Sequence, residues 1–414
     1  MQRVKEEVNK NSKYTYDWFK EESGNHNWVL YNTDMYVISN YEGNRYLHYI
    51  ELNGLPPVVP INAISCHHMF DNCCDTKELD FKHFNTENII TMEGMFSKCN
   101  KISKLNLKLL NTTKVTNMFK MFSKCRNLEE LGLNSFSTAN VADMGYMFAG
   151  CESLEVLDLS NFSTENIVTM DKMFFLCELP KELDLTCFNV SNVVNMRAMF
   201  MLSEGLVHLN LSNWDASKVE NMSQMFFGCE SLAKIDFTNF KTDQLYIITG
   251  MLNGCSSLKE LDLSMFNTQR VETMYKMFAG CESLERVNLS SFNTENVFSI
   301  ESMFVNCKSL RMLDLSNFKT PRLKIMFSAF NSCKSLFALD INNFDISNVR
   351  DARLTFANCK NLTGIIKSNP SVLNESAKAT NMFNGCYGLP NFNKTRTNGT
   401  YAKSTEEGGY FVSI

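Results

Sequence analysis

The sequence has no run of basic residues, no apolar stretch near the ~20 residues of a membrane-spanning helix, and only six histidines in 414 residues. Each absence removes a class of function. With a formal net charge of −5 and a pI near 5.8, no clustered Lys and Arg are available to displace counterions from nucleic-acid phosphates, so no nucleic-acid partner is expected. The opening stretch "MQRVKEEVNKNSKYTYDWFKEESGNHNWVL" is charged throughout and lacks the ~7–15-residue apolar core of an export signal. The final "GGYFVSI" is no lipidation or sorting signal. The chain as written is therefore expected in the cytoplasm, or at the cell surface if a leader was removed. Catalytic fingerprints are missing as well: there is no G-x-G-x-x-G, Walker loop, H-E-x-x-H or G-x-S-x-G. His26, His48, His83 and His208 fall on dissimilar segments, so no nucleophile–base pair can be built. Neither enzyme activity nor a cofactor is expected.

What the sequence does have is a repeat. "MFAGCESLEVLDLSNFSTENIVTMDKMF", from Met147, returns as "MFAGCESLERVNLSSFNTENVFSIESMF", from Met277. The cysteine after Met-Phe falls at Cys73, Cys99, Cys125, Cys151 and Cys177, then at Cys229, Cys255, Cys281, Cys307, Cys333 and Cys359, always at multiples of 26. Ser203 holds the missing slot, and Cys386 follows after 27. The register predicts about thirteen coils over residues 65–390.

Within a coil, Leu154, Leu157, Leu159 and Phe162 alternate with polar residues as a short half-buried strand does. Val141, Met144, Met147, Phe148, Cys151 and Leu154 instead step by three or four, which predicts about three turns of helix. Asn140, with Asn88, Asn166, Asn192, Asn296 and Asn348, stands where a helix N-cap would. One strand and one helix cannot bury their apolar stripe alone, so the coils must stack. The expected fold is an α/β repeat: a right-handed solenoid with strands ~4.8 Å apart, roughly 60 Å long. Residues 1–64 and 391–414 lack the repeat, carry Trp18, Trp28 and many tyrosines, and are expected to cap its two ends.

The unit "CxSLxxLDLSNFxTxNVxxMxxMF" resembles the BspA-like leucine-rich-repeat proteins, a family of bacterial and protist surface proteins, over roughly residues 65–390. The resemblance implies a leucine-rich-repeat solenoid without catalytic residues, used for adhesion or protein binding.

A fixed register turns each position into a column. Phe84, Leu110, Phe136, Phe162, Phe188, Trp214, Phe240, Phe266, Phe292, Phe318 and Phe344 read as a buried stack. The column of Asp158, Asp184, Asp236, Asp262, Asp314 and Asp340 lies between buried leucines and points out of the sheet. Unit charges ~4.8 Å apart repel by about 0.9 kcal/mol even in bulk water. Asn106, Gly132, Asn210 and Asn288 break its runs, which reads as a hydrogen-bonding ladder, or as an acidic strip for a basic partner or calcium. Beside it, Glu130, Val156, Glu182, His208, Lys234, Glu260, Arg286 and Met312 vary freely, as residues of a recognition surface on a constant frame do. A second candidate surface is the apolar set Phe175, Leu176, Met201, Leu202 and Phe227, where other coils carry small or polar residues.

"CHHMFDNCC", Cys66 to Cys74, suggests zinc by composition. The register argues otherwise, since Cys66 and Cys73 fall in buried columns while His67 and His68 fall outside, with Glu93 and Gly94; no metal is expected. The column cysteines stack in parallel, the wrong geometry for a disulfide or a zinc tetrahedron, and read as small, buried, reduced fillers. The function expected is a non-catalytic scaffold that captures a protein, for instance a microbial or phage factor acting on a host protein. The alternatives are a surface adhesin and a self-associating structural protein.

Overall fold

The computed structural model describes residues 26–31, 34–41, 44–50, 64–72, 81, 84–212, 214–367, 369 and 371–412. The chain divides into two compact units, residues 1–180 and 181–414. In the first, β1 (His26–Tyr31), β2 (Asp34–Tyr41) and β3 (Asn44–Ile50) form an antiparallel sheet in that order. Coils follow, with β4 (Lys104–Asn106) parallel to β5 (Glu130–Gly132). In the second unit β6 (Glu182–Leu183), β7 (His208–Asn210) and β8 (Lys234–Asp236) make one parallel sheet. There β9 (Glu260–Asp262) pairs with β10 (Arg286–Asn288), while β11 (Ala338–Asp340), β12 (Gly364–Ile366) and β13 (Phe411–Val412) make a third sheet.

The 26-residue period sets the register directly: Lys104 pairs with Glu130, His208 with Lys234, and Glu260 with Arg286. A second line of single-residue bridges runs through Thr91, Asn117 and Asp143 in the first unit, and through Thr273, Ser299 and Ile325 in the second. Among the described residues the solenoid has about ten turns, which does not confirm the thirteen coils expected. Cys73, Cys74, His83 and Trp18 lie outside the described residues.

The expected helix is replaced by tight turns, and no α-helix occurs among the described residues. In the coil of Met92 to Cys99, the N–H groups of Met95, Ser97 and Cys99 bond three residues back, to Met92, Gly94 and Phe96. The intervening N–H groups of Met92, Gly94, Phe96 and Lys98 donate to the next coil, at Asn117, Phe119, Met121 and Ser123, over 2.7–3.0 Å. An α-helix would return every N–H to the residue four back. Two positions per coil forbid that by taking positive φ, such as Gly94 at 59° and Lys98 at 61°. A chain of three-residue turns still keeps Met, Met and Phe on the inside, which is why the apolar spacing imitates a helix.

The asparagines expected as N-caps therefore cap nothing helical. Asn140 and Asn166 donate their side-chain amides to Thr113 and Ala139 one coil back, at 2.7 and 2.6 Å. They tie coil to coil.

Several buried columns fill the interior. Phe70, Phe96, Phe122, Phe148 and Phe174 stack ring on ring in the first unit, 5.3–5.7 Å apart and within 10° of parallel. Phe278, Phe304, Phe330, Phe356 and Phe383 stack likewise in the second, 5.1–5.8 Å apart and within 13° of parallel. The aromatic column singled out from the sequence is buried as expected, and Phe188, Trp214 and Phe240 stack within it.

The cysteines form a further column, whose described members are buried and in no disulfide. Most of these thiols donate to a carbonyl of the preceding coil: Cys99 Sγ to Phe70 at 3.0 Å, Cys229 to Phe200 at 2.9 Å and Cys386 to Phe356 at 2.8 Å. The filler is thus also a weak donor to a buried carbonyl, a role a serine hydroxyl can fill at Ser203. Burial pushes the Cys229, Cys281 and Cys333 thiols up to about 12, so they stay protonated and chemically quiet.

One structural column was not singled out from the sequence. Thr86, Thr112 and Thr138, and in the second unit Thr268, are buried and bond the next coil twice. Thr138 Oγ1 donates to the Ser163 carbonyl and accepts the Ser163 N–H, both at 2.8 Å. Thr268 does the same with Asn293, at 2.9 and 2.8 Å. The signal was available, since each threonine follows a buried apolar residue (Phe84, Leu110, Phe136 and Phe266) by two positions and so shares its side.

At the chain's end, β13 pairs with β12. Tyr410 and Phe411, both buried, meet the ring of Phe383 edge-on at 5.1 and 6.2 Å.

Candidate functional site

The strand face is where the variable column emerges. Strands of three residues follow an exposed, buried, exposed pattern in β7 and β9. The middle residue anchors the strand in the core and frees its neighbours for solvent. In the second unit, Lys234, Glu260 and Arg286 stand side by side and line an open depression of about 730 Å³. Ile235, Leu261 and Val287 form its floor, and Asp262 and Asn288 also border it. In the first unit, Lys104, Glu130, Lys108 and Asn134 line a smaller depression of about 350 Å³.

Charges along this column meet their opposites one coil away. Lys104 Nζ lies 2.8 Å from Glu130, His208 Nδ1 lies 3.2 Å from Glu182, and Arg286 pairs with Glu260. Such exposed pairs contribute at most ~1 kcal/mol each. Two column members are apolar and open to solvent: Val156 is 69% and Met312 70% exposed. Phe337, 62% exposed one strand beyond Met312, belongs to the same face and was missed because it lies one position before the column.

The aspartates of the acidic strip are bonded within their own loops. Asp158 Oδ1 accepts the N–H of Ser160 at 3.0 Å, Asp262 that of Ser264 at 2.9 Å, and Asp340 that of Asn342 at 2.8 Å. Asp184 and Asp236 each accept both the N–H and the hydroxyl of the threonine two residues on. These are Asx turns that end each strand. Hydrogen bonds from Ser160 and Ser316 backbone, and from the Thr186 and Thr238 hydroxyls, hold Asp158, Asp314, Asp184 and Asp236 below the usual carboxylate range. Asn106, Asn210 and Asn288 make the same bond without charge, at 3.2, 2.9 and 3.1 Å. That equivalence explains the interchange of Asp and Asn in the column.

Of the apolar set, Phe175 and Leu176 belong to the first unit and Met201, Leu202 and Phe227 to the second. Leu176 is 40% exposed, whereas Phe175, Met201, Leu202 and Phe227 are half-buried. Lys172 Nζ lies over the Phe175 ring, 5.5 Å from its centre. Leu202 packs so closely on Gly228 that a Cβ there would meet Leu202 Cδ2 at 2.5 Å.

At the first coil, Cys66 is fully buried and its thiol pKa is raised by that burial. His67 and His68 point outward, as the register predicts. There they meet a carboxylate from the next coil: one ligand atom each of His67, His68 and Glu93 lie within 4.8 Å of one another. The contact with His67 beside it keeps Glu93 below the usual carboxylate range.

The buried columns, the short parallel strands and the 26-residue register together define a leucine-rich-repeat solenoid of the BspA-like kind. A family model described as "Mycoplasma protein of unknown function, DUF285" matches at residues 64–182, 152–261, 178–287, 232–336 and 280–398. These overlapping matches run through most of the chain, which belongs to that family. Among solved structures, the chain is similar to a leucine-rich-repeat protein from Eubacterium ventriosum at 13% identity and a TM-score of 0.34, over 87% of this chain and 82% of that one. It is similar to a leucine-rich cell surface protein from Faecalibacterium prausnitzii at 13% identity and a TM-score of 0.38, over 91% and 98%. A leucine-rich-repeat protein from Leptospira interrogans matches at 16% identity and a TM-score of 0.26, over 73% and 80%. No curated protein matches the chain. Among the described residues, no helix is long and apolar enough to cross a membrane.

Proposed function

We propose that this chain is a non-catalytic scaffold that binds a protein on the strand face of its second unit, with residues 391–414 closing the end of that unit's sheet. The observation that carries the reading is the open depression over Lys234, Glu260 and Arg286, where exposed, freely varying side chains stand on a floor of buried ones. Constant residues build the frame and variable ones face out, which is how repeat proteins read a partner. The alternating signs favour a partner surface that itself carries both charges. Buried thiols and the Asx-bonded aspartates supply no nucleophile or general base, which supports a binding role over a catalytic one.

The test is affinity capture from the source cells with the wild-type chain and two triple variants. Lys234→Glu with Glu260→Lys and Arg286→Glu should abolish recovery of the partner. Phe175→Ser with Met201→Ser and Phe227→Ser should leave it intact. The reverse pattern would move the interface to the apolar set, and a concentration-dependent mass in light scattering that disappears in the second variant would mean self-association instead.

A further inference from the structure

We propose that His67, His68 and Glu93 form a binding site for a divalent transition metal ion of the zinc type, spanning two neighbouring coils of the first unit. Three potential ligand atoms, one from each residue, lie within 4.8 Å of one another. His67 Nε2 is 3.6 Å from Glu93 Oε1, and the two imidazoles sit edge to face with centroids 4.3 Å apart. Two imidazoles and a carboxylate are a donor set that suits zinc and its neighbours, and three protein ligands leave a fourth position for water or a partner's side chain.

Two further observations point to an ion rather than to a simple ion pair. The first is unsatisfied polarity. His68 Nδ1 is buried and makes no hydrogen bond, although Asp71 Oδ2 stands 3.3 Å away, and Asp71 Oδ1 is likewise buried without a hydrogen bond. Asp71 Oδ1 has the Lys98 ammonium as its ion-pair partner, but buried polar atoms left without a hydrogen bond are uncommon, and His68 Nδ1, within a ready ligand set, is accounted for by a bound cation. The second is the space made for the ring. His68 lies against Gly94 of the next coil, where a Cβ would meet imidazole atoms at 2.5–2.8 Å. The same column elsewhere carries Lys120, Tyr146, Lys172 and Gln224, so a side chain is ordinarily accepted there. Outer groups also hold the set in place: Asn117 Nδ2 donates to Glu93 Oε2 at 3.1 Å, and Lys98 Nζ lies 3.6 Å from Asp71. Such second contacts orient metal ligands.

The sequence composition suggested a site built from thiols and imidazoles together, and the fold separates them by burying Cys66. What it supplies in place of the thiol is Glu93, 26 residues after His67 and one coil away.

The test uses the full chain, stripped of metal by chelation, kept reduced, and titrated with Zn(II) against a chromophoric indicator. One equivalent should bind, and His67→Gln, His68→Gln and Glu93→Gln should each weaken it by about tenfold or more. Glu93 is partly exposed, so its variant keeps the core intact and keeps the test decisive if a histidine variant fails to fold. Co(II) in place of Zn(II) should give weak visible bands without strong thiolate charge-transfer absorption. No binding, or binding unaltered in all three variants, would overturn the proposal. Strong thiolate absorption would also overturn it, by assigning the ion to cysteines.

Discussion

The two sides of each coil solve the same stacking problem differently. On the strand side, short segments such as β8 and β9 pair by ordinary parallel ladders, and the residues that flank the buried one are unconstrained. On the turn side, every second N–H crosses to the next coil, and positions such as Lys98, Lys124 and Gly150 must take positive φ to aim it. The strand side tolerates variation because its outward side chains carry none of the pairing. The turn side varies too, as Lys98, Gly150 and Leu176 show, but every residue at these positions must accept positive φ, because the backbone conformation is itself the coil-to-coil connection.

Core truncation on the turn side should give the largest contrast. Phe226 stacks on Phe200 at 5.5 Å and is fully buried; Phe226→Ala should cost ~3–5 kcal/mol by urea denaturation. The same measurement on Glu260→Ala, on the strand side, should move stability by less than ~0.5 kcal/mol. Comparable losses for the two would remove the distinction between the sides.

A smaller effect of opposite sign is expected at the crossing positions. Lys124 holds φ at 62° while its N–H donates to Ala149 at 2.6 Å. A side chain there costs roughly 1–2 kcal/mol, against which glycine adds ~0.5–1 kcal/mol of unfolded-state freedom. Lys124→Gly should therefore stabilise the fold by about 0.5–1 kcal/mol, seen as a higher denaturation midpoint; a lower midpoint would show that the crossing does not strain lysine.

The smallest effect tests the strand ends. Asp158, Asp184, Asp236 and Asp314 are more acidic in the folded state, because hydrogen bonds from the residue two on stabilise their charged form. Their contribution is complete above the unfolded carboxylate value of about 4 and is lost as pH falls through the lower folded values. Replacing all four by Asn keeps the Asx acceptor and removes the charge. The denaturation midpoint of that variant should fall less steeply below about pH 4 than that of the wild type. Identical slopes would assign the acid sensitivity to other carboxylates.

Much of this architecture was legible in the residues. The cysteine spacing fixed which strands pair, and alternation around Leu157 and Leu159 placed the exposed columns correctly. The turn side was misread because turns of three residues and helices of 3.6 per turn put Met144, Met147 and Phe148 on the same side, and spacing alone does not separate them. The asparagines were misread with it: an Asx residue before an apolar run suggests a cap, yet Asn140 reaches backward to the preceding coil. The cluster of His67, His68 and Glu93 was half visible, because the register had already placed these residues on the same outer side.

By itself, then, the sequence determined period, register and which residues are buried, since all three follow from the chain's need to cover one apolar stripe with the next. Only the tertiary structure decided how the turn side bonds, why cysteine and threonine recur and which charged residues meet. Each of those depends on groups about 26 residues apart in the sequence that face one another only after the coils stack.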